Sequence, residues 1–165
     1  MSMRIKLDDR AWRNLIRKLE AADHTGVRVG VLVSGKGGDE HKDADGKGSG
    51  KNMVEIAAIH EYGAPKANIP ERSFIRRTFI VKRRQYATMT NKIARAMILR
   101  NLPVKTALEL LGQWGAAEVQ KTITTGAHLR PPLKPATVAR KKSSRPLFDT
   151  GQLARSITYA VTRRE

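Results

Sequence analysis

The stretch "AAIHEYGAPKANIPERSFIRRT", residues 57–78, decides how the chain is interpreted, because it could be either a catalytic motif or a structural corner. Just before it, Asn52 and Glu55 have the three-residue spacing of a capping box, which predicts that a helix begins there. Gly63 suits the left-handed C′ position at the end of that helix, and Pro65 cannot continue it. The stretch is therefore predicted to be a helix end followed by a turn.

The pair His60 and Glu61 raises the question of a zinc protease. Such enzymes carry H-E-x-x-H on a helix, so that two histidines one turn apart face one metal. In this chain the position of the second histidine is Ala64, which lies beyond Gly63. We therefore expect no metal here, and we expect His60 to be a half-buried residue at the helix end, where a protonated imidazole suits the helix dipole.

Apolar periodicity and β-branched runs predict the elements that surround this stretch. On its N-terminal side we expect a helix over 8–21 with an inward stripe, and a strand over 27–33 with Gly30 as a candidate bulge. The inward stripe consists of Trp12, Leu15, Ile16 and Leu19.

On the C-terminal side the same patterns predict mainly helices. The expected elements are a long helix over 73–100, a second helix from about 104 to 124, an extended proline-rich segment over 126–135, a short helix near 136–142 and a final strand over 157–161. Further short strands near 66–72 or 128–135 stay open. The two strands lie far apart in the sequence, which favours an α+β fold with a small sheet.

Residues 34–51 are glycine and charge with almost nothing apolar, so we expect a mobile loop. Two weak motifs overlap it. The near phosphate-loop at 30–37 has Gly37 in place of the Ser or Thr that holds magnesium, and the calcium-loop fragment at 43–48 has Lys47 where an oxygen ligand belongs. A weak metal cluster could be formed only by Asp39, Glu40, His41 and Asp43.

The segment near residue 150 predicts a second helix start. Asp149 is a good N-cap with Gln152 at the third helical position. Phe148 and Leu153 are then spaced as the two partners of a hydrophobic staple. We expect this short helix to anchor the final strand.

Composition bounds the class of protein. The chain has 165 residues and no cysteine, which suits one domain without disulfides or thiolate metal sites. Its N-terminus lacks the apolar core of a signal peptide, and no apolar run approaches the roughly 20 residues of a membrane helix. The lack of such a run leads us to expect no membrane. The formal net charge is +17, so we expect an anionic partner. Aromatic residues make up 5%, too few for a base-stacking platform.

Basic residues form two groups in the C-terminal part, where acidic residues are scarce. The first group is Arg72, Arg76, Arg77, Lys82, Arg83 and Arg84, and the second is Arg130, Lys134, Arg140, Lys141, Lys142 and Arg145. The residues predicted to contact phosphates or an acidic partner are Arg77, Lys82, Arg83, Arg84, Arg140, Lys141 and Lys142. No DNA-reading motif is evident, so DNA contact should be to phosphates and sensitive to salt.

No catalytic pattern stands out. Ser143, Ser144 and Ser156 lack the G-x-S-x-G context of a nucleophile elbow, and carboxylates are scarce beyond Glu71. We therefore expect neither an enzyme nor a cofactor. A sequence-nonspecific nucleic-acid-binding protein is one function that this composition allows.

Two blocks of the sequence resemble the virion-morphogenesis family of long-tailed bacteriophages, which are minor neck or tail-completion proteins. The first block, "IAAIHEYGAPKANIPERSFIRRT", carries His60, Glu61, Tyr62 and Gly63, followed by Ile69, Pro70, Arg72, Phe74, Ile75 and Arg76. The second, "LKPATVARKKSSRPLFDTGQLARSITYAV", carries Pro146, Leu147, Asp149, Thr150, Gly151, Leu153, Ser156 and Ile157. The order and spacing of both blocks agree with the family over nearly the whole chain.

The resemblance implies a non-enzymatic assembly role at the junction of head and tail. It implies a homo-oligomeric ring that contacts other neck and tail proteins in the virion, and host cytoplasm as the location during assembly. It also implies an α+β, tail-terminator-like fold with a small antiparallel sheet flanked by helices and one long central helix. Neck ring and tail terminator stay open. Arg72 and Arg76 are expected either to brace the corner against Glu61 or Glu71, or to line an interface.

Overall fold

A computed structural model describes residues 9–33, 40–42, 48–141 and 144–163. In chain order its elements are α1 (Arg10–Asp23), β1 (Thr25–Val31), β2 (Glu40–Lys42), β3 (Gly48–Asn52), α2 (Met53–Tyr62), a 3₁₀ turn (Pro65–Ala67), α3 (Ile75–Val81), α4 (Arg83–Leu99), α5 (Val104–Thr125), α6 (Pro135–Lys141), α7 (Gln152–Ser156) and β4 (Ile157–Arg163).

The first and last strands pair across almost the whole chain. β1 and β4 are antiparallel, with Thr25 opposite Arg163 and Val31 opposite Ile157. The register runs between these ends without interruption and places Gly30 opposite Thr158, so the bulge considered at Gly30 is wrong. The predicted α+β class, with a small antiparallel sheet and one long helix, is confirmed, and the long helix is α5.

The glycine-rich segment 34–51 contains structure that its composition did not predict. β2 and β3 pair as an antiparallel hairpin. A backbone ladder needs no apolar side chains, so a segment of glycine and charge can form one although its composition does not indicate it. The two weak motifs at 30–37 and 43–48 fall mainly on residues outside the described part, as do the side chains of the weak metal cluster at 39–43.

Helix α5 forms the centre of the core because it packs directly on the sheet. Two of its glycines lie under the strands, and a methyl group at Gly112 would come within 2.4 Å of Tyr159 Cδ2. Interiors are close-packed, so this helix lies against the sheet at a distance that a larger residue would not allow. The buried apolar cluster consists of Met53, Ala57, Phe74, Ala116, Val119, Ile123, Leu129, Leu147, Leu153, Ala154 and Ile157.

The continuous helix predicted over 73–100 is wrong, because the structure divides it at Lys82 into α3 and α4. Backbone hydrogen bonds continue across the joint, from Lys82 N to Thr78 O (2.9 Å) and from Tyr86 N to Lys82 O (2.8 Å). The joint is therefore a local distortion of the helix. The Lys82 ammonium lies 3.1 Å from the Glu118 carboxylate on α5, with both side chains largely buried. This contact with a residue distant in sequence ties the joint to the core.

The predicted inward stripe of α1 is only partly inward. Trp12 is 64% exposed and Leu19 is 51% exposed, whereas Leu15 and Ile16 are half-buried. Polar contacts help to hold the helix, since Lys18 Nζ donates to Met97 O at 3.1 Å and also contacts Asn101. The stripe therefore predicted the helix but not the side on which it packs.

Two predicted segments near the middle of the chain contain no strand among the described residues. Over 66–72 the closest feature is a single bridge between Ala64 and Ile69. Over 128–135 the backbone is irregular until α6 begins at Pro135. The predicted short helix near 136–142 is confirmed by α6.

The close contact of α5 with the sheet gives a test of the fold. Replacing Gly112 by Ala should lower the free energy of unfolding by about 1–3 kcal/mol, because the new methyl group would collide with the Tyr159 ring. In a helix without this contact, replacing glycine by alanine would stabilise the protein by roughly 1 kcal/mol. A loss of stability would therefore show that the collision outweighs the helix preference. Urea unfolding measures it. The matched control is Gly115→Ala, where the methyl would lie 3.2 Å from Val29 Cγ2, and it should lose less. A stabilised Gly112→Ala protein would contradict this packing.

Candidate functional site

The capping box that starts α2 fixes the position of the first motif. Asn52 Oδ1 accepts from Glu55 N at 2.9 Å, and Glu55 Oε2 accepts from Asn52 N at 3.0 Å, as predicted. The helix ends at Tyr62, also as predicted. Gly63 has the expected positive φ of 77°, but its ψ of 167° lies outside the left-handed helical region. The chain therefore leaves α2 in an extended direction that is open almost exclusively to glycine.

Gly63 also permits a close approach of two backbone segments. A Cβ atom at this position would lie 2.8 Å from Glu71 N and 3.2 Å from Ile69 O. The returning chain is held by Arg72 N, which donates to His60 O at 2.8 Å. The segment between the two halves of the first motif is thus a closed corner, with Pro65 opening its 3₁₀ turn.

Glu61 lies at the centre of this corner. It is 4% exposed, and its carboxylate accepts from Ser73 Oγ at 2.8 Å, from Ile75 N at 2.9 Å, and from Arg76 N at 3.0 Å and Arg76 Nε at 3.1 Å. The first backbone N–H groups of a helix have no partner within the helix, and the helix dipole favours negative charge there. Glu61 therefore caps α3 from outside it, although no residue of α3's own N-cap position does so.

Arg76 completes the corner on its exposed side. Its Nη2 donates to Glu61 O at 3.1 Å and to Glu71 Oε1 at 2.7 Å, and its guanidinium lies 5.1 Å from the centre of the Tyr62 ring. The hydrogen bond to Glu61, with the charges of Glu71 and Glu61, raises the pKa of Arg76 above its ordinary value. The expectation that this arginine braces the corner against the two glutamates is confirmed.

Arg72 behaves differently from the expectation. It contacts no carboxylate of the described residues, so a role in bracing the corner against Glu61 or Glu71 is wrong. Its Nε donates to Pro131 O at 2.9 Å and its Nη2 to Pro132 O at 3.4 Å. Prolines cannot join a backbone ladder as donors, and these two carbonyls accept from the arginine. Burial of the side chain lowers the pKa of Arg72.

The second motif begins its helix two residues later than predicted. α7 starts at Gln152, and the cap position is Gly151, with φ 75° and ψ 4°. Asp149 is exposed, and Thr150 Oγ1 accepts from Gln152 N at 3.4 Å. The prediction of Asp149 as N-cap is therefore wrong. Because the left-handed Gly151 takes the cap position, Asp149 lies two residues before the cap.

The shift also removes the predicted staple between Phe148 and Leu153. Leu153 packs in the main core, and Phe148 lies 5.1 Å below the Arg145 guanidinium. Ser156 is buried, with its hydroxyl donating to Leu153 O at 2.8 Å. The final strand starts directly after it, at Ile157, as predicted.

The two motifs meet along one cleft of about 1600 Å³. Its lining comes from the corner, from the segment before α7 and from the two prolines held by Arg72. Predicted motif residues on the cleft are His60, Tyr62, Gly63, Pro65, Pro70, Arg72, Pro146, Leu147, Asp149, Thr150, Gly151 and Leu153. Phe74, Ser156 and Ile157 are buried in the protein instead, and Glu61 is enclosed by its donors.

The predicted phosphate contacts divide into three groups. Arg77, Arg83 and Arg84 are exposed. Lys82 is paired with Glu118, so its prediction as a free contact is wrong. For Arg140 and Lys141 only the backbone, within α6, is described, and Lys142 lies outside the described residues.

Three exposed cations outside the predicted contact set extend the first basic group along α4. They are Lys92, Arg95 and Arg100. A sequence signal for them exists, because no aspartate or glutamate occurs between Glu71 and Glu109. The predicted contact set was drawn from dense runs of basic residues and so did not include these more widely spaced cations.

Comparison of the chain with protein-family models, with curated proteins and with solved structures finds no match. Within the part of the chain that the structure describes, no three His, Cys, Asp or Glu residues are grouped so as to hold a metal ion. None of the described helices combines the length and hydropathy needed to cross a membrane.

The buried carboxylate gives the sharpest test of the corner. Glu61→Gln should lower the free energy of unfolding by about 2–4 kcal/mol, because an amide offers one acceptor oxygen and turns an NH₂ group toward backbone donors. Thermal or urea unfolding measures the loss. The matched control is Glu71→Gln, since that side chain is 53% exposed and pairs with the same arginine. It should cost less than about 1 kcal/mol. Equal losses of unfolding free energy in the two variants would show that the buried Glu61 carboxylate stabilises the corner no more than the exposed Glu71 does.

Proposed function

We propose that the protein is a non-enzymatic structural component of a tailed-phage virion, acting at the head–tail junction as a neck or tail-completion protein. The observation that carries the proposal is that the Glu61 carboxylate is buried and fully occupied by hydrogen bonds within the protein. This residue is the acid of the His-Glu pair, and both its oxygens accept hydrogen bonds from α3 and the residues before it. A general base needs a lone pair directed at its substrate, which this carboxylate does not offer. The motif therefore works as scaffolding.

The meeting of the two motif blocks supports the same proposal. Residues of each block line a shared cleft, although about 90 residues of sequence separate His60 from Asp149. In this proposal the two blocks occur together because residues of both line one cleft. In this proposal several copies form a ring and contact neighbouring neck and tail proteins.

A free, sequence-nonspecific nucleic-acid-binding protein is the second candidate. The exposed cations Arg77, Arg83 and Arg84, together with the three others on and beyond α4, favour it. The two candidates differ in what loss of the protein does. A junction protein is needed to produce joined particles, whereas a free DNA-binding protein is not.

The test is removal of the protein from the phage or prophage that encodes it. We expect filled heads and complete tails that remain separate in electron micrographs, with joined particles restored when the wild-type chain is supplied in trans. Infectious, joined particles formed in its absence would refute the proposal. Supplying Glu71→Gln, which leaves the buried carboxylate in place, should restore joining as the wild type does.

A further inference from the structure

We propose that the exposed face of α4 binds the phosphate backbone of double-stranded DNA without reading its sequence. The inference deepens the proposed function, because it names a partner for one surface of the junction protein. The binding itself is a property of the isolated chain and can be tested apart from any role in assembly.

The geometry of α4 places its polar residues on one side. Arg84, Asn91 and Arg95 follow one another at spacings of seven and four residues, which puts them on a single helix face, and all are exposed. Lys92 flanks this row and is also exposed. The opposite side carries Ile93, which is buried. With a rise of 1.5 Å per residue, the row from Arg84 to Arg95 is about 16 Å long.

The charge of this face is uncompensated. In the described parts of the chain no ion pair involves Arg84, Lys92 or Arg95, and none involves the neighbouring cations Arg77, Arg83 and Arg100 outside this face. Some cations on other helices are paired: Arg13 of α1 pairs with Asp9, and Lys105 of α5 lies 3.9 Å from Glu109. Like charges held on one helix repel each other, and binding to phosphates with release of counterions relieves this.

The aromatic content of α4 argues against single-stranded nucleic acid. Its one aromatic residue is Tyr86, whose ring centre lies 6.1 Å from those of both Phe79 and Trp114. Those contacts engage the ring within the protein. Single-strand binding relies on aromatic faces that stack on successive bases, and this face presents none.

The centre of the face also differs from that of a typical protein interface. Protein partners are generally anchored by apolar or aromatic residues at the middle of the contact, with charges around the rim. Here the row begins at Arg84, the second residue of α4, and runs through Asn91 at its middle to Arg95, whereas the exposed apolar residues Ile98 and Leu99 lie at the C-terminal end of the helix. This order of residues favours a uniformly anionic surface such as the DNA backbone.

The experiment measures binding of the full chain to a 30-base-pair duplex by fluorescence anisotropy between 50 and 200 mM salt. The test variant is the triple substitution Arg84→Gln, Lys92→Gln and Arg95→Gln. Each phosphate contact contributes about 0.9 to the slope of log affinity against log salt. We expect the slope to fall by about 2.7 and the affinity at 100 mM salt to fall on the order of 100-fold. A·T-rich and G·C-rich duplexes should bind equally.

The matched control removes the same net charge elsewhere, through Arg17→Gln, Lys66→Gln and Lys121→Gln, all exposed and outside α4. Its affinity should stay within about threefold of wild type, since it removes no phosphate contact. The proposal would be overturned if both variants lost affinity equally or if the wild type did not bind the duplex. Tighter binding to a single strand or to an acidic protein would also overturn it. If the triple variant fails to fold, Arg95→Gln alone should lower the slope by about 0.9, and an unchanged slope would also overturn the proposal.

The two proposals fail separately. If the wild-type protein did not bind DNA, the DNA proposal would fail, and the particle-joining result would be unaffected. Joined particles in the absence of the protein would refute the junction role and leave the measured slope unaffected.

Discussion

The arrangement of the first motif depends on a buried carboxylate that joins the end of one helix to the start of another. Glu61 closes α2 and caps α3, so the chain between them has little freedom in how it turns. Gly63 makes the turn possible, because any side chain there would strike the backbone of Glu71. A charged group at this depth is favourable only when its lone pairs are satisfied, which four donors accomplish here.

The corner affects both the cleft that the two motifs share and the cationic face of α4. Arg72 leaves the corner to donate to the carbonyls of Pro131 and Pro132, and these two prolines line the same cleft as residues of both motifs. In the other direction α3 leads through the Lys82 joint into α4, whose cations face outward. The capped start of α3 therefore sets the direction of the cationic helix as well as one wall of the cleft.

Local chemistry was predictable from the sequence where a few neighbouring residues determine it. The Asn52–Glu55 capping box and the final strand from Ile157 are such cases. Prediction failed where distant residues choose between local solutions. Asp149 satisfied the rules for an N-cap, but the helix starts after Gly151, which has a left-handed conformation. The joint between α3 and α4 lies at Lys82, which pairs with Glu118 on another helix. The stripe of α1 likewise predicted a helix without predicting which side packs.

Amide hydrogen exchange of the wild-type protein tests the central interaction most directly. If the Glu61 carboxylate holds the N–H groups of Ile75 and Arg76, these two amides should exchange as slowly as those in the middle of α5, although they lie in the first turn of a helix, where amides ordinarily exchange fast. Exchange of both amides at the rate of an unprotected chain, with α5 still protected, would contradict the account.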